Sequence, residues 1–254
     1  MHRRAFLKIL AASAASSASR AATPADAAGR GRTFLADLLD ADLGLLPEFR
    51  GSKTYWLWHD NYLAARTLAA THPALARTIH TAIEREGIRE TDGKTEMFFG
   101  KTESVLPFRH YDLKIVRQTG EKIIRTEVAT ERPMLGWEKY ADLLFLASIA
   151  EGNAPAARTH WDSALRMWDG RGFADAAFDA HQIYATYKLA LALLAARRLS
   201  PKAEPPPALL DRLLSLQSAS GGWITDYDAG GKPIGLANVE TTCFAILALE
   251  ADPR

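Results

Sequence analysis

The chain has 254 residues, a net charge of +1 and one cysteine, Cys243. Its balanced charge excludes electrostatic capture of nucleic acid or of an anionic membrane. A single cysteine excludes an intramolecular disulfide and a cysteine-based zinc site, so packing must supply the stability.

The N-terminus reads Met1-His2-Arg3-Arg4-Ala5-Phe6-Leu7-Lys8, then a weakly apolar run rich in Ala and Ser over 9–18, then a small-x-small site at Ala25-Asp26-Ala27. This is the three-part layout of a secretory signal, and its apolar run is too short to span a bilayer. Arg3 and Arg4 ahead of Phe6-Leu7-Lys8 resemble the twin-arginine export motif, with His2 where Ser or Thr is preferred. The resemblance implies a periplasmic or secreted protein that meets the twin-arginine translocon during export. Residues 1–27 are read as this signal and 28–254 as one domain. Removing the signal leaves about 225 residues, enough for one substantial core. No apolar run reaches the roughly 18 residues of a membrane span, so stable membrane insertion is not expected.

Helical periodicity dominates the rest. It predicts helices near 33–43, 56–71, 73–86, 135–150, 153–168, 178–198, 207–217 and 238–250. Pro73, Pro155 and Pro207 suit first-turn positions, where the missing N–H costs nothing. Asn238 fits an N-cap ahead of Val239-Glu240-Thr241-Thr242. Residues 108–129 depart from the pattern: they alternate, are rich in β-formers and turn at Gln118-Thr119-Gly120-Glu121. They predict a β-hairpin, which needs helices to lie against because two strands alone are marginal. The segment 241–249 is apolar nearly all round and belongs inside the protein.

Residues 213–223, Leu213-Leu214-Ser215-Leu216-Gln217-Ser218-Ala219-Ser220-Gly221-Gly222-Trp223, resemble the Gln-x-x-x-Gly-x-Trp repeat of the terpenoid cyclase and protein prenyltransferase superfamily. The resemblance implies a mainly α fold, an α/α toroid of helical hairpins, here with one inserted β-hairpin. In such repeats Gly allows a tight turn and Trp packs between hairpins. Many carbohydrate-active enzymes share that architecture. The chain departs from the superfamily in three ways. The acidic Asp-x-Asp-Asp and Asp-Asp-x-x-Asp motifs are missing, no Asp/Cys/His zinc set is found, and the mature length is short for a complete six-hairpin ring.

Three constellations carry candidate chemistry. The first is Tyr55-Trp56-Leu57-Trp58-His59-Asp60-Asn61-Tyr62. On a helix, Asn61 shares a face with Leu57, Ala64, Ala65 and Leu68, and Asp60 lies at its edge. Asp60 and Asn61 either enter a ligand cavity walled by Trp56, Trp58 and Tyr62, or bond to neighbouring backbone within an aromatic core. The second sets His181, Tyr184 and Lys188 on one helical face, a combination suited to acid–base work or to ordinary capping by Asp179. The third joins Asp226 and Asp228, beyond Trp223, with Glu240, which shares its face with Cys243, Phe244 and Leu247 and either points inward or toward the ring mouth, or belongs to helix capping with the two aspartates as solvated turn residues. Glu138 and Asp142 stand one turn apart and either flank a cation or form a solvated stripe.

The expectation from these residues is an exported carbohydrate-active enzyme, a polysaccharide hydrolase or lyase. Asp60 and Glu240 are its catalytic carboxylates, assisted by His181 and Tyr184. Trp56, Trp58, Asn61, Tyr62, Trp223 and Asp226 hold the glycan. No cofactor and no metal are expected, because no nucleotide loop, His-Glu-x-x-His motif or calcium loop is present. Two other readings remain open: a non-catalytic periplasmic scaffold for a glycan or partner, and an isoprenoid-handling pocket.

Overall fold

The computed structural model describes residues 23–88, 94–99 and 106–250, the side chains of 179–181 excepted. The elements run α1 (Pro24–Ala36), β1 (Thr54–Trp56), a π-helical segment (Leu57–Tyr62), α2 (Leu63–Leu68), α3 (Pro73–Arg85), β2 (Arg109–Thr119), β3 (Lys122–Pro133), α4 (Ala141–Glu151), α5 (Pro155–Leu165), α6 (Ala176–His181), β4 (Tyr184–Ala185), α7 (Thr186–Arg198), α8 (Pro207–Ser215), β5 (Ile224–Tyr227), β6 (Pro233–Ala237) and α9 (Val239–Leu249). Pro73, Pro155 and Pro207 each open a helix. The Asn238 side chain accepts the Thr241 N–H at 2.9 Å and caps α9.

At 48% helix and 21% strand, with two small sheets, the architecture is mixed, which corrects the expectation of a mainly α toroid with one inserted hairpin. Two departures account for the difference. The segment 178–198 is not one helix. Gln182 adopts a left-handed conformation at φ 56°, ending α6, and the chain makes the two-residue strand β4 before α7 begins. The loop after Trp223 folds into β5 and β6, so the order β4-β5-β6 makes a second antiparallel sheet.

The 108–129 hairpin exists as β2 and β3 and continues to Pro133. A third strand completes it: β1 pairs parallel to β3, with Tyr55 opposite Ile124. The helix expected near 33–43 lies instead at Pro24–Ala36, with Thr23 and Asp26 forming a capping box. Ala27 and Ala28 are buried in the core.

The core centres on α7 and α9, which pack on each other and are buried on nearly all sides. Helix α1 lies across α9, and a glycine allows the approach. A Cβ at Gly31 would stand 2.8 Å from the Trp223 ring. Trp223 is fully buried, and its indole N–H donates to the Leu213 carbonyl at 2.8 Å. The Gln217 amide donates to the carbonyls of Ala27 (2.8 Å) and Gly221 (2.7 Å). Gln217 and Trp223 therefore fasten the α8–β5 turn to α1.

Candidate functional site

A cavity of about 350 Å³ opens where the π-helical segment, the hairpin, α4, α7 and α9 meet. These elements bring His59, Glu127, Asp142, Tyr187 and Glu240 to its wall, with Arg109 and Tyr111 contributed by β2. The volume is at the small end of ordinary ligand pockets, which run roughly 300–1,000 Å³.

The position of His59 and Asp60 follows from local structure. Strand β1 ends at Trp56, and six residues then wind as a π-helix, a rare geometry that recurs at functional sites. Asn61 anchors the turn. Its amide donates to the carbonyls of Leu46 (3.0 Å) and Trp56 (2.8 Å), and its Oδ1 accepts the Leu46 N–H at 2.7 Å. All its polar capacity facing the core is engaged with backbone, so Asn61 is a structural residue and does not line the cavity.

His59 and Glu127 form a histidine–carboxylate pair on the wall, with Nδ1 3.1 Å from Oε2. This is a close approach of nitrogen to oxygen without hydrogen-bond geometry. Beside it, the Tyr187 hydroxyl donates to Asp142 at 2.8 Å. Burial, then the Asp142 charge, pushes the Tyr187 phenol well up, so the tyrosine is a neutral donor. Lys188 is buried, with Nζ 3.6 Å from Asp142 and 2.5 Å from Asp175. Asp175 also accepts the Ala141 N–H (2.9 Å) and caps α6 through Ala177 (3.0 Å). One ion-pair network thus sets the starts of α4, α6 and α7 relative to the wall.

Asp60 lies behind this wall. It is 4% exposed, and its Oδ2 has no hydrogen-bond partner among the described residues. Burial raises its carboxyl well above the usual range, and the charges of Glu240, Glu48 and Glu127 raise it further. Such a group favours its protonated form. Cys243, also buried, has its thiol pushed up by burial and then by Asp60, which makes it unreactive.

The raised carboxyl has a consequence for stability. The folded chain holds the Asp60 proton more tightly than the unfolded chain. This contribution is constant below the unfolded pKa of about 3.9 and then falls by about 1.4 kcal/mol per pH unit up to the folded pKa. Asp60→Asn removes that slope. In urea melts at about pH 5 and about pH 8, stability of the variant relative to wild type should increase with pH; parallel curves would show that Asp60 ionises normally.

The other expected site residues lie elsewhere. Tyr184 is buried in β4, not on an α7 face with Lys188. Its ring stacks on Phe178 (4.3 Å between centroids) and Tyr227 (5.3 Å), and its hydroxyl donates to Asp169. Burial, then Asp169, pushes its phenol up to about 12, which suits a structural hydroxyl and not a base. The His181 side chain lies outside the described residues, as do Arg3 and Arg4. Trp56 sits in β1, Trp58 packs on Tyr62 at 4.9 Å, and Trp223 is sealed in the core. None of these four aromatic residues lines the cavity, whose aromatic wall is Phe98, Tyr111, Tyr140, Tyr187 and Phe244. Asp226 is in β5 and lines a separate depression of about 360 Å³ that shares Tyr187 with the cavity. Glu138 is exposed and, unlike Asp142, does not line the cavity.

Of the expected catalytic set, the fold thus brings together Glu240, in the wall, and Asp60, close enough behind it for the two charges to act on each other. Sequence reasoning missed Glu127, Asp142 and Tyr187 as members of this site. Glu127 alternates along a hairpin as a solvated residue would, and its contact with His59 marks it. No group of three or more His, Cys, Asp or Glu placed to hold a metal ion occurs among the described residues. Comparison of the chain with family models, curated proteins and solved structures finds no match.

Proposed function

We propose that this protein is an acid–base enzyme that cleaves glycosidic bonds, exported through the twin-arginine route and acting in the periplasm or outside the cell. One observation carries the reading: Glu127, Asp142 and Glu240 line a single cavity together with His59 and Tyr187. Glycoside hydrolysis needs two carboxyl groups on opposite sides of the scissile bond, one to protonate the leaving oxygen and one to assist attack. Glu240 takes one of these roles. Glu127, oriented by His59, takes the other. Asp60 keeps a neutral carboxyl beside Glu240 and so limits the negative charge behind the wall.

Elimination is the second reading, favoured by Lys94 and Arg109 at the same cavity. Cations there suit the carboxylate of a uronic acid, and His59 would then take the proton. The glycan-scaffold reading placed Trp56, Trp58 and Trp223 at the ligand, and none of the three lines this cavity. Incubating the protein with neutral and uronate-containing glycans tests the proposal. New reducing ends without ultraviolet absorbance mean hydrolysis, and new reducing ends with the absorbance of an unsaturated uronide mean elimination. No cleavage of any glycan, with binding or without it, overturns the enzyme reading.

A further inference from the structure

The second sheet puts three side chains in a row. Asp226 of β5 pairs with Ala185 of β4 on one side and with Ile234 of β6 on the other. Residues directly opposite one another in a sheet share a face. All three line the depression of about 360 Å³, together with Phe173, Tyr187 and Lys188. In size it matches the cavity of about 350 Å³ that holds Glu127 and Glu240. The two meet at Tyr187, which belongs to both walls. A second link runs beside it: Lys188, in the depression, has its Nζ 3.6 Å from Asp142, in the cavity. The walls of the depression are mostly apolar, and its charged members differ in their state. The Lys188 ammonium is engaged by Asp175 and Asp142. Asp226 is half-buried, and among the described residues no group donates to its carboxylate. The sheet thus presents one unengaged acceptor in an apolar hollow next to the cavity.

We infer that this depression binds a further sugar unit of the glycan whose bond is cut in the neighbouring cavity, and that this unit is uncharged. The inference rests on the glycosidase reading above. A sugar ring suits such a hollow, because its C–H faces lie against apolar walls while its hydroxyls donate to the Asp226 carboxylate. A uronic acid does not suit it. Its carboxylate would stand near Asp226, and the Lys188 charge that could offset the repulsion is already held by two aspartates. A chain passing over Tyr187 occupies both hollows at once. Contacts remote from the reacting bond can be used to lower its barrier, so a substrate too short to reach them loses rate as well as affinity. The depression therefore makes the enzyme selective for chains over short fragments.

Chain-length kinetics test the inference on the full chain. The substrate is the polymer cut in the glycan panel, partly hydrolysed in acid and sized into oligosaccharides of two to about eight units. For wild type, kcat/KM should rise about tenfold or more from the shortest chain to the longest, the effect of one hydrogen bond to a charged group. Asp226→Ala removes the acceptor, and Ile234→Trp fills the hollow from the edge strand β6. Each should bring that ratio toward one while keeping a melting temperature near that of wild type. A wild-type ratio near one, or folded variants that keep the wild-type ratio, overturns the subsite and leaves the glycosidase reading standing. A length gain in wild type on a homopolymer of uronic acid overturns the assignment to an uncharged unit. No cleavage of any glycan overturns the enzyme reading and this inference with it.

Discussion

Glu240→Gln is expected to lower glycan cleavage by about a hundredfold or more while leaving the melting temperature near that of wild type, since positioned acid–base groups contribute roughly 10²–10⁴ in rate. The side chain keeps its size, and α9 keeps its Asn238 cap and its apolar contacts with α1, α2 and α7. What changes is a charge on the cavity wall. A second effect distinguishes loss of a catalytic group from general damage. The Glu240 charge is the largest electrostatic contribution raising the Asp60 carboxyl, after burial. Removing it lets Asp60 ionise at a lower pH, so the window in which stability falls with rising pH should contract toward the unfolded value. Rates measured alongside urea melts over pH check both. Unchanged cleavage in this variant excludes Glu240 as acid or base.

Asn61→Ala is the substitution expected to cost most in stability, about 3 kcal/mol or more, because leaving one buried polar group unsatisfied costs about 1–3 kcal/mol. Three bonds disappear together. The Leu46 N–H, the Leu46 carbonyl and the Trp56 carbonyl lose their partner at a fully buried position. Those groups tie the segment before β1 to the π-helical segment that carries His59. Cleavage should therefore fall even at temperatures where the variant is folded, as His59 loses its fixed approach to Glu127. Chemical denaturation gives the first quantity, and the temperature dependence of the residual rate gives the second. A loss below about 1 kcal/mol would mean that water replaces the amide at this position.

Local rules made several elements legible. Prolines at 73, 155 and 207 mark helix starts because proline has a fixed φ and no N–H to lose. The long alternating run at 108–129 is a hairpin because each strand is long enough to show a period of two. Strands β1 and β4 have three and two residues, too few to show any period. Each is a strand only because a distant partner accepts its hydrogen bonds. The left-handed turn at Gln182 carries no glycine to announce it, so 178–198 reads as one helix. From that break follow the second sheet, the burial of Tyr184 and the failure of its expected catalytic face.

The candidate site divides the same way. Glu240 is readable as inward-facing because helical spacing places it with Cys243, Phe244 and Leu247, and Asp60 because it adjoins an apolar face. Those inferences use the geometry of one helix at a time. The role of Asn61 depends on the Leu46 backbone, and the roles of Glu127 and Asp142 on contacts with His59 and Tyr187. Helix starts, the hairpin and the inward carboxylates follow from interactions between near neighbours in the chain, whose strength depends on residue type and spacing. The sheet order, the membership of the cavity wall and the protonation of Asp60 depend on groups brought together from far apart. Their energies arise from desolvation and from charges across space, and neither exists until the chain has folded.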